Sequence, residues 1–180
     1  MIHFMESYCP TTTVSYTDLI NTNACVTDAI TALTKHREIA LDVETSKGKL
    51  IMLQLGTEDG NQYVFDMRNI NAELFRGLLE DSDITFIGHN IKYDYNILKN
   101  HKLLLSSVYD TMVIDQMLFN GKYDIGEIKQ LHRFSLAGVY WNYFKEVVDK
   151  GTRDQFAAIG DRPFTEQQIV YGAKDVVYTP

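Results

Sequence analysis

Ile39-Ala40-Leu41-Asp42-Val43-Glu44-Thr45 is an apolar run that carries two acids two positions apart. The apolar residues predict a buried strand, in which side chains two apart share a face, roughly 7 Å from each other. Two like charges on one face of a buried strand repel and are costly to desolvate. Spacing alone leaves a second reading open, in which Asp42 ends the strand and Glu44 begins a loop. Upstream, Val26, Ala29, Ile30 and Leu33 recur at helical spacing, predicting an amphipathic helix over residues 25–36. Residues 12–16 read as an edge strand, and residues 1–11 as a loose polar lead. Downstream, residues 50–55 and 63–65 read as two more strands, with the hairpin signal Asp59-Gly60 between them. Leu74, Phe75, Leu78 and Leu79 mark a helix. Residues 84–87 make another strand, and Gly88-His89-Asn90 turns into a helix over residues 91–100.

The second half reads as mainly helical. Val113, Ile114, Met117 and Leu118 share a helix face, and residues 121–133 form a polar connection. Ser135 is placed to cap a helix carrying Leu136, Val139, Tyr140 and Tyr143. Residues 145–164 carry no clear period. Thr165 and Gln168 form a capping box for a last helix, with Ile169, Ala173, Val176 and Val177 as its core stripe. This order predicts an α/β domain: a mixed sheet of about five strands flanked by helices. The 180 residues suit one domain spanning 1–180, and no repeat or Pro/Ser-rich linker divides it.

Composition narrows the function. Hydrophobic residues are 45% and charged residues 23%, which excludes a disordered chain. Two cysteines, Cys9 and Cys25, exclude a disulfide-stapled scaffold and read most simply as thiols of a reducing compartment, with one disulfide between them as the alternative that nothing in the sequence asks for. No apolar run approaches the ~20 residues of a membrane helix, and Met1-Ile2-His3-Phe4-Met5-Glu6 lacks the pattern of a secretory signal. A cytoplasmic protein with no membrane partner is the expectation. Lys+Arg number 17 against 24 Asp+Glu, a net charge of −7. Phosphates repel such a chain, so binding nucleic acid would require added positive charge.

Two further pairs join Asp42 and Glu44. Asn90 and Asp94 are four apart at a helix start, where a cap and a first-turn acid are the structural alternatives. Tyr171 and Asp175 are four apart on the side of the last helix away from its core stripe; taken alone they read as solvated residues. Together the three places supply four carboxylates, a phenol and an amide. Clustered carboxylates are hard-oxygen ligands suited to Mg²⁺ or Mn²⁺. Two such ions ~3.5–4 Å apart can hold the attacking and leaving oxygens of a phosphoryl displacement. Their charge would also reconcile an acidic chain with an anionic substrate.

At these residues the sequence resembles the 3′→5′ exonucleases that carry four acids and a tyrosine, the family of ribonuclease D, the Werner-type exonucleases and the proofreading domains of family-A DNA polymerases. Residues 39–45 resemble its first motif. Gly88-His89-Asn90-Ile91-Lys92-Tyr93-Asp94, through Leu98, resembles the second, and Tyr171-Gly172-Ala173-Lys174-Asp175-Val176 the third. Tyr109-Asp110-Thr111-Met112, Ser135-Leu136-Ala137, Asp149-Lys150 and residues 163–168 are similar to the family's phrasing between motifs, so the likeness spans roughly residues 12–178. A histidine five positions before the last aspartate marks the sister branch; Val170 stands there, so the chain resembles the tyrosine type.

The resemblance implies a ribonuclease-H-like fold. It implies that Asp42, Glu44 and Asp175 hold one divalent ion, that Asp42 reaches a second with Asp94 helping through water, and that Tyr171 orients the attacking water. It assigns the terminal nucleotide to His89, Asn90 and the Thr45 backbone. The implied products are nucleoside 5′-monophosphates released from a single-stranded 3′ end. DNA is favoured, in a proofreading setting linked to a polymerase, with ribonuclease D-like RNA trimming as the alternative. A non-catalytic binding or docking module is the alternative of another class. Leu50, Met52, Tyr93 and Phe156 are candidate base contacts, although core packing is the plainer reading for them. Lys47, Lys49, Lys92, Lys150 and Arg153 are candidate phosphate contacts, although each reads more simply as a solvated charge. Two departures stand out: the chain stops soon after Asp175, shorter than usual for the family, and Phe156 replaces a common tryptophan.

Overall fold

Along β3 (Glu38–Ser46) of the computed structural model, Ile39, Leu41 and Val43 are buried on one side of the strand, as period-two alternation requires. Asp42 and Glu44 take the other side. The structure describes residues 1–5, 20–21, 25–119, 134–145, 156 and 159–177. Glu44 is inside the strand, which removes the loop alternative.

The remaining strands are β1 (Ile2–Met5), β2 (Ile20–Asn21), β4 (Lys49–Gly56), β5 (Gln62–Asp66), β6 (Thr85–Gly88) and β7 (Val108–Asp110). They form a sheet in the order β2-β1-β5-β4-β3-β6-β7. The β3–β4–β5 meander is antiparallel, and the strands outside it pair in parallel. The helices are α1 (Val26–Leu33), α2 (Arg76–Leu79, entered through a 3₁₀ turn at Ala72–Phe75), α3 (Lys92–Asn100), α4 (Thr111–Phe119), α5 (Leu136–Phe144) and α6 (Glu166–Asp175).

One core joins Leu41, Val43, Leu53, Leu55, Phe65 and Phe86 of the sheet to Val26, Ala29 and Leu33 of α1, Leu78 and Leu79 of α2, and Leu98 of α3. The opposite face, with Phe4, Ile51, Met52 and Val64, packs under Ile169 and Ala173 of α6, joined by Phe156, Ile159 and Phe164. Helices therefore cover both faces of a mixed sheet, the architecture expected.

Several expectations need correction. Among the described residues the sheet has seven strands rather than about five. Residues 2–5 are not loose: β1 pairs with β5, and the Met1 ammonium donates to the Gly60 carbonyl at 3.0 Å. Their polar neighbours hid a strand only four residues long. The stripe of α4 does not face the core: Met117 is 68% exposed and Leu118 57%, while Asp115 is buried and accepts a hydrogen bond from the Tyr143 hydroxyl at 3.0 Å. That polar contact joins α4 to α5. Val177 is exposed, because α6 ends at Asp175 before the stripe can continue. The strand expected at residues 12–16, the connection at 121–133, Cys9, Lys150 and Arg153 lie outside the described residues.

Candidate active site

The site begins with a break in the sheet. β3 and β4 keep register from Ala40↔Gly56 to Glu44↔Met52, then skip Ile51 so that Thr45 faces Leu50. Such a bulge bends a strand and re-aims its side chains, and bulges are frequent beside functional sites. Here it falls immediately after Glu44.

Asp175 reaches this place because α6 lies close on β4. A Cβ on Gly56 would come 1.9 Å from the Val176 carbonyl oxygen, and one on Gly172 would come 2.9 Å from both Met52 Sδ and Gln54 Nε2. At Gly56 only hydrogen allows the approach, because the obstacle is backbone; at Gly172 a side chain would have to push the ends of Met52 and Gln54 aside. The N-terminus of α6 is set by the capping box read in the sequence: Gln168 N–H donates to Thr165 Oγ1 at 3.3 Å, and Thr165 N–H donates to Gln168 Oε1 at 2.9 Å. The segment before it is clamped by Arg68, which donates to the carbonyls of Gly160 at 3.0 Å and Arg162 at 2.7 Å and lies over the Phe164 ring. The result is one cluster: carboxylate oxygens of Asp42, Glu44 and Asp175 all lie within 4.8 Å of one another. Residues separated by more than 130 positions in sequence thus meet.

Asp94 arrives from α3. It is buried, and its Oδ1 accepts the Val43 N–H at 3.2 Å, between Asp42 and Glu44 along β3. Burial first, and then the charge of Asp42, push its carboxyl up to about 8. A first-turn position in a helix favours the anion, but desolvation and a like charge outweigh that here. Asp94 does stand in the first turn of α3, but buried, so the helix dipole alone does not account for it; Asn90 is not the cap, since the N-cap is Ile91, with no side-chain cap bond.

His89 and Asn90 sit in the turn between β6 and α3. The Asn90 backbone is left-handed, φ 59°, and its N–H donates to Asp110 Oδ1 at 2.9 Å. His89 Nδ1 is 3.0 Å from Thr111 Oγ1, which donates to the Gly88 carbonyl at 3.2 Å. Asp110 also accepts the Met112 N–H at 3.0 Å, so one carboxylate starts α4 and holds the turn ahead of Asp94. β7, which places Asp110, was missed because three half-exposed residues make little periodic pattern.

Thr45 Oγ1 lies 3.1 Å from the hydroxyl of Tyr93, which is 48% exposed beside Asp94. Leu50, Met52 and Phe156 are buried in the cores, so packing accounts for them. The Phe156 ring lies against that of Tyr171, centroids 5.9 Å apart. Lys47, Lys49 and Lys92 are exposed. Gln54, which sequence reasoning passed over, is wholly buried directly across from Asp42. Its signal was visible: a lone amide in the apolar run of β4.

The donor set is all carboxylate, hard oxygen of the kind that suits Mg²⁺ or Mn²⁺, and the crowding that raises Asp94 is what a cation would relieve. The residues present fit a divalent ion.

A mixed sheet with helices on both faces and an acidic cluster at the end of β3 defines a ribonuclease-H-like nuclease domain. A profile of the 3′–5′ exonuclease family matches residues 18–180. The chain belongs to that family, whose members are divalent-metal-dependent 3′–5′ exonucleases of the four-acid type. It is 29% identical over 152 residues to DNA polymerase I of Aquifex aeolicus, a match covering 83% of this chain and 23% of that protein. Its fold resembles Escherichia coli RNase D, an exoribonuclease of structured RNA processing, with a TM-score of 0.67 and 23% identity over 83% of this chain and 38% of that one. It also resembles Brucella melitensis NrnC with bound Mg²⁺, with a TM-score of 0.64 and 19% identity over 99% of this chain and 76% of that one. The chain thus spans less than half the length of the polymerase and of RNase D. No helix among the described residues is long and apolar enough to cross a membrane.

Proposed function

We propose that the chain hydrolyses single-stranded DNA from its 3′ end to nucleoside 5′-monophosphates, using two divalent ions and water. The observation that carries this is the meeting of Asp42, Glu44 and Asp175 oxygens within 4.8 Å. In this reading those three residues hold one ion, and Asp42 and Asp94 serve the second. When bound, the ions supply activation of water and stabilisation of charge on the phosphoryl oxygens. Tyr171, one turn before Asp175, orients the attacking water through its hydroxyl. The His89-Asn90 turn, fixed by Asp110 and Thr111, and the Thr45 backbone receive the terminal nucleotide.

DNA is favoured by the likeness to a DNA polymerase I, which also supports association with a polymerase and an intracellular setting. Trimming of RNA 3′ ends is the second reading, favoured by the structural likeness to RNase D. The test incubates the protein with 3′-labelled DNA and RNA of one sequence, with Mg²⁺, Mn²⁺ or EDTA. The reading expects labelled mononucleotide from DNA, none with EDTA and none from Asp42→Ala. Faster release from RNA selects the second reading. Metal-independent release, or an Asp42→Ala variant as active as the parent, removes the two-ion reading for both substrates, and no release from either substrate leaves a binding module.

A further inference from the structure

Gln54 pairs with Asp42 across the antiparallel β3–β4 ladder, on the face that also holds Glu44 and Met52. Directly opposed residues of such a ladder have Cβ atoms about 4.5–5.5 Å apart, within reach of a glutamine amide. Gln54 is 0% exposed, and neither Nε2 nor Oε1 has a hydrogen-bond partner. Its other flank is α6, where a Cβ on Gly172 would meet Nε2 at 2.9 Å. Gly172 stands between Tyr171 and Asp175. The amide is therefore wedged between the strand of Asp42 and the helix of Tyr171 and Asp175.

Packing does not call for an amide here. The next side chain on this face is Met52, the cross-strand partner on the other side is Val64, and both are buried and apolar. Methionine would fill nearly the same volume without desolvating two polar atoms, and an unsatisfied buried amide is costly. A local rule broken this close to clustered carboxylates signals a functional constraint.

We propose that Gln54 is a positioning residue of the metal site: its amide turns about χ3, a soft torsion, and donates from Nε2 to the Asp42 carboxylate as the divalent ions load. In the two-ion reading Asp42 would serve both ions, and a donor beside it would fix which edge of its carboxylate faces them. Residues that orient ligands typically change metal affinity or activity by about 10–100-fold. The inference rests on the two-ion reading above, and its test separates the two.

The test compares the parent with Gln54→Met and Gln54→Asn. It measures the urea midpoint in EDTA, Mn²⁺ binding by calorimetry, and kcat and KM on 3′-labelled single-stranded DNA. Gln54→Met is expected to unfold at the same or higher urea in EDTA. It should bind Mn²⁺ about tenfold more weakly and lose about tenfold in kcat with KM for DNA unchanged. Gln54→Asn, which keeps an amide one methylene back, should recover part of the Mn²⁺ affinity. Parental Mn²⁺ affinity and kcat in Gln54→Met would overturn the proposal, as would a lower urea midpoint in EDTA, which would make the amide structural. Failure of the parent itself to bind Mn²⁺ would remove the exonuclease reading and this inference together. A binding, active parent with an indifferent Gln54→Met removes this inference alone.

Discussion

Glu44 and Asp66 lie in one row across the sheet, each paired with Met52 from opposite sides, yet they live in opposite electrostatic settings. Asp66 is buried with a cation: its carboxylate accepts from Arg68 Nε at 2.8 Å and from Nη2, and the Arg68 N–H adds a bond at 3.1 Å. The same guanidinium grips the chain ahead of α6. Glu44 is gathered instead with Asp42 and Asp175, and Asp42 in turn crowds the buried Asp94. One acid serves the fold. The other belongs to a group whose charges oppose one another, which makes sense where a ligand supplies the compensating charge. Burial alone does not separate a structural acid from a functional one; the sign of its neighbours does.

Breaking each side should have opposite consequences. Asp42→Ala should lower exonuclease activity by at least about 10³-fold, while its urea midpoint in EDTA stays at or above the parent's because a like charge is gone. A clear fall in that midpoint would place Asp42 with Asp66 as a structural acid. Arg68→Met leaves Asp66 buried and uncompensated, and should cost about 3 kcal/mol of unfolding free energy in urea. A cost under about 1 kcal/mol would show that the clamp is dispensable.

The pH dependence sharpens the contrast. Asp94 is pushed up to about 8, above the ordinary aspartate value, so the folded metal-free protein holds a proton that the unfolded chain releases near pH 4. Stability of the metal-free protein should therefore fall as pH rises from about 4 to about 8, by at least the roughly 1.4 kcal/mol that one pKa unit represents. Asp94→Asn should flatten that slope in urea titrations, and saturating Mg²⁺ should reduce it. An unchanged slope in Asp94→Asn would remove the crowding of the cluster from the account. The smallest effect belongs to the α6 cap: Thr165→Ala should cost about 1 kcal/mol in thermal or urea unfolding, with loss of activity following only as the helix carrying Tyr171 and Asp175 frays.

The elements around the site were legible to different depths. β3 could be read because its apolar residues alternate with acids that no buried strand tolerates without cause. α6 could be read because Thr165 and Gln168 act within one turn. α4 misled: its stripe of Val113, Ile114, Met117 and Leu118 is helical in period, but period reports a face and not what covers it, and Met117 and Leu118 lie exposed while Asp115 is buried. β1 was hidden because four residues carry little pattern and their partners lie some sixty positions away in β5.

Local chemistry, being encoded within a few residues, was written in the chain: the motif acids and tyrosine, the helix cap and the mixed α/β order. Proximity was not, since it depends on contacts between distant segments. Only the folded chain brings Asp175 to Asp42 and Glu44, through the close seat that Gly56 and Gly172 allow. Only it buries Asp94 against Val43, and only it sets Gln54 between the strand and the helix that carry the cluster. An acid's charge belongs to its residue type, but its pKa and role come from the dielectric and the neighbours that tertiary packing assembles around it.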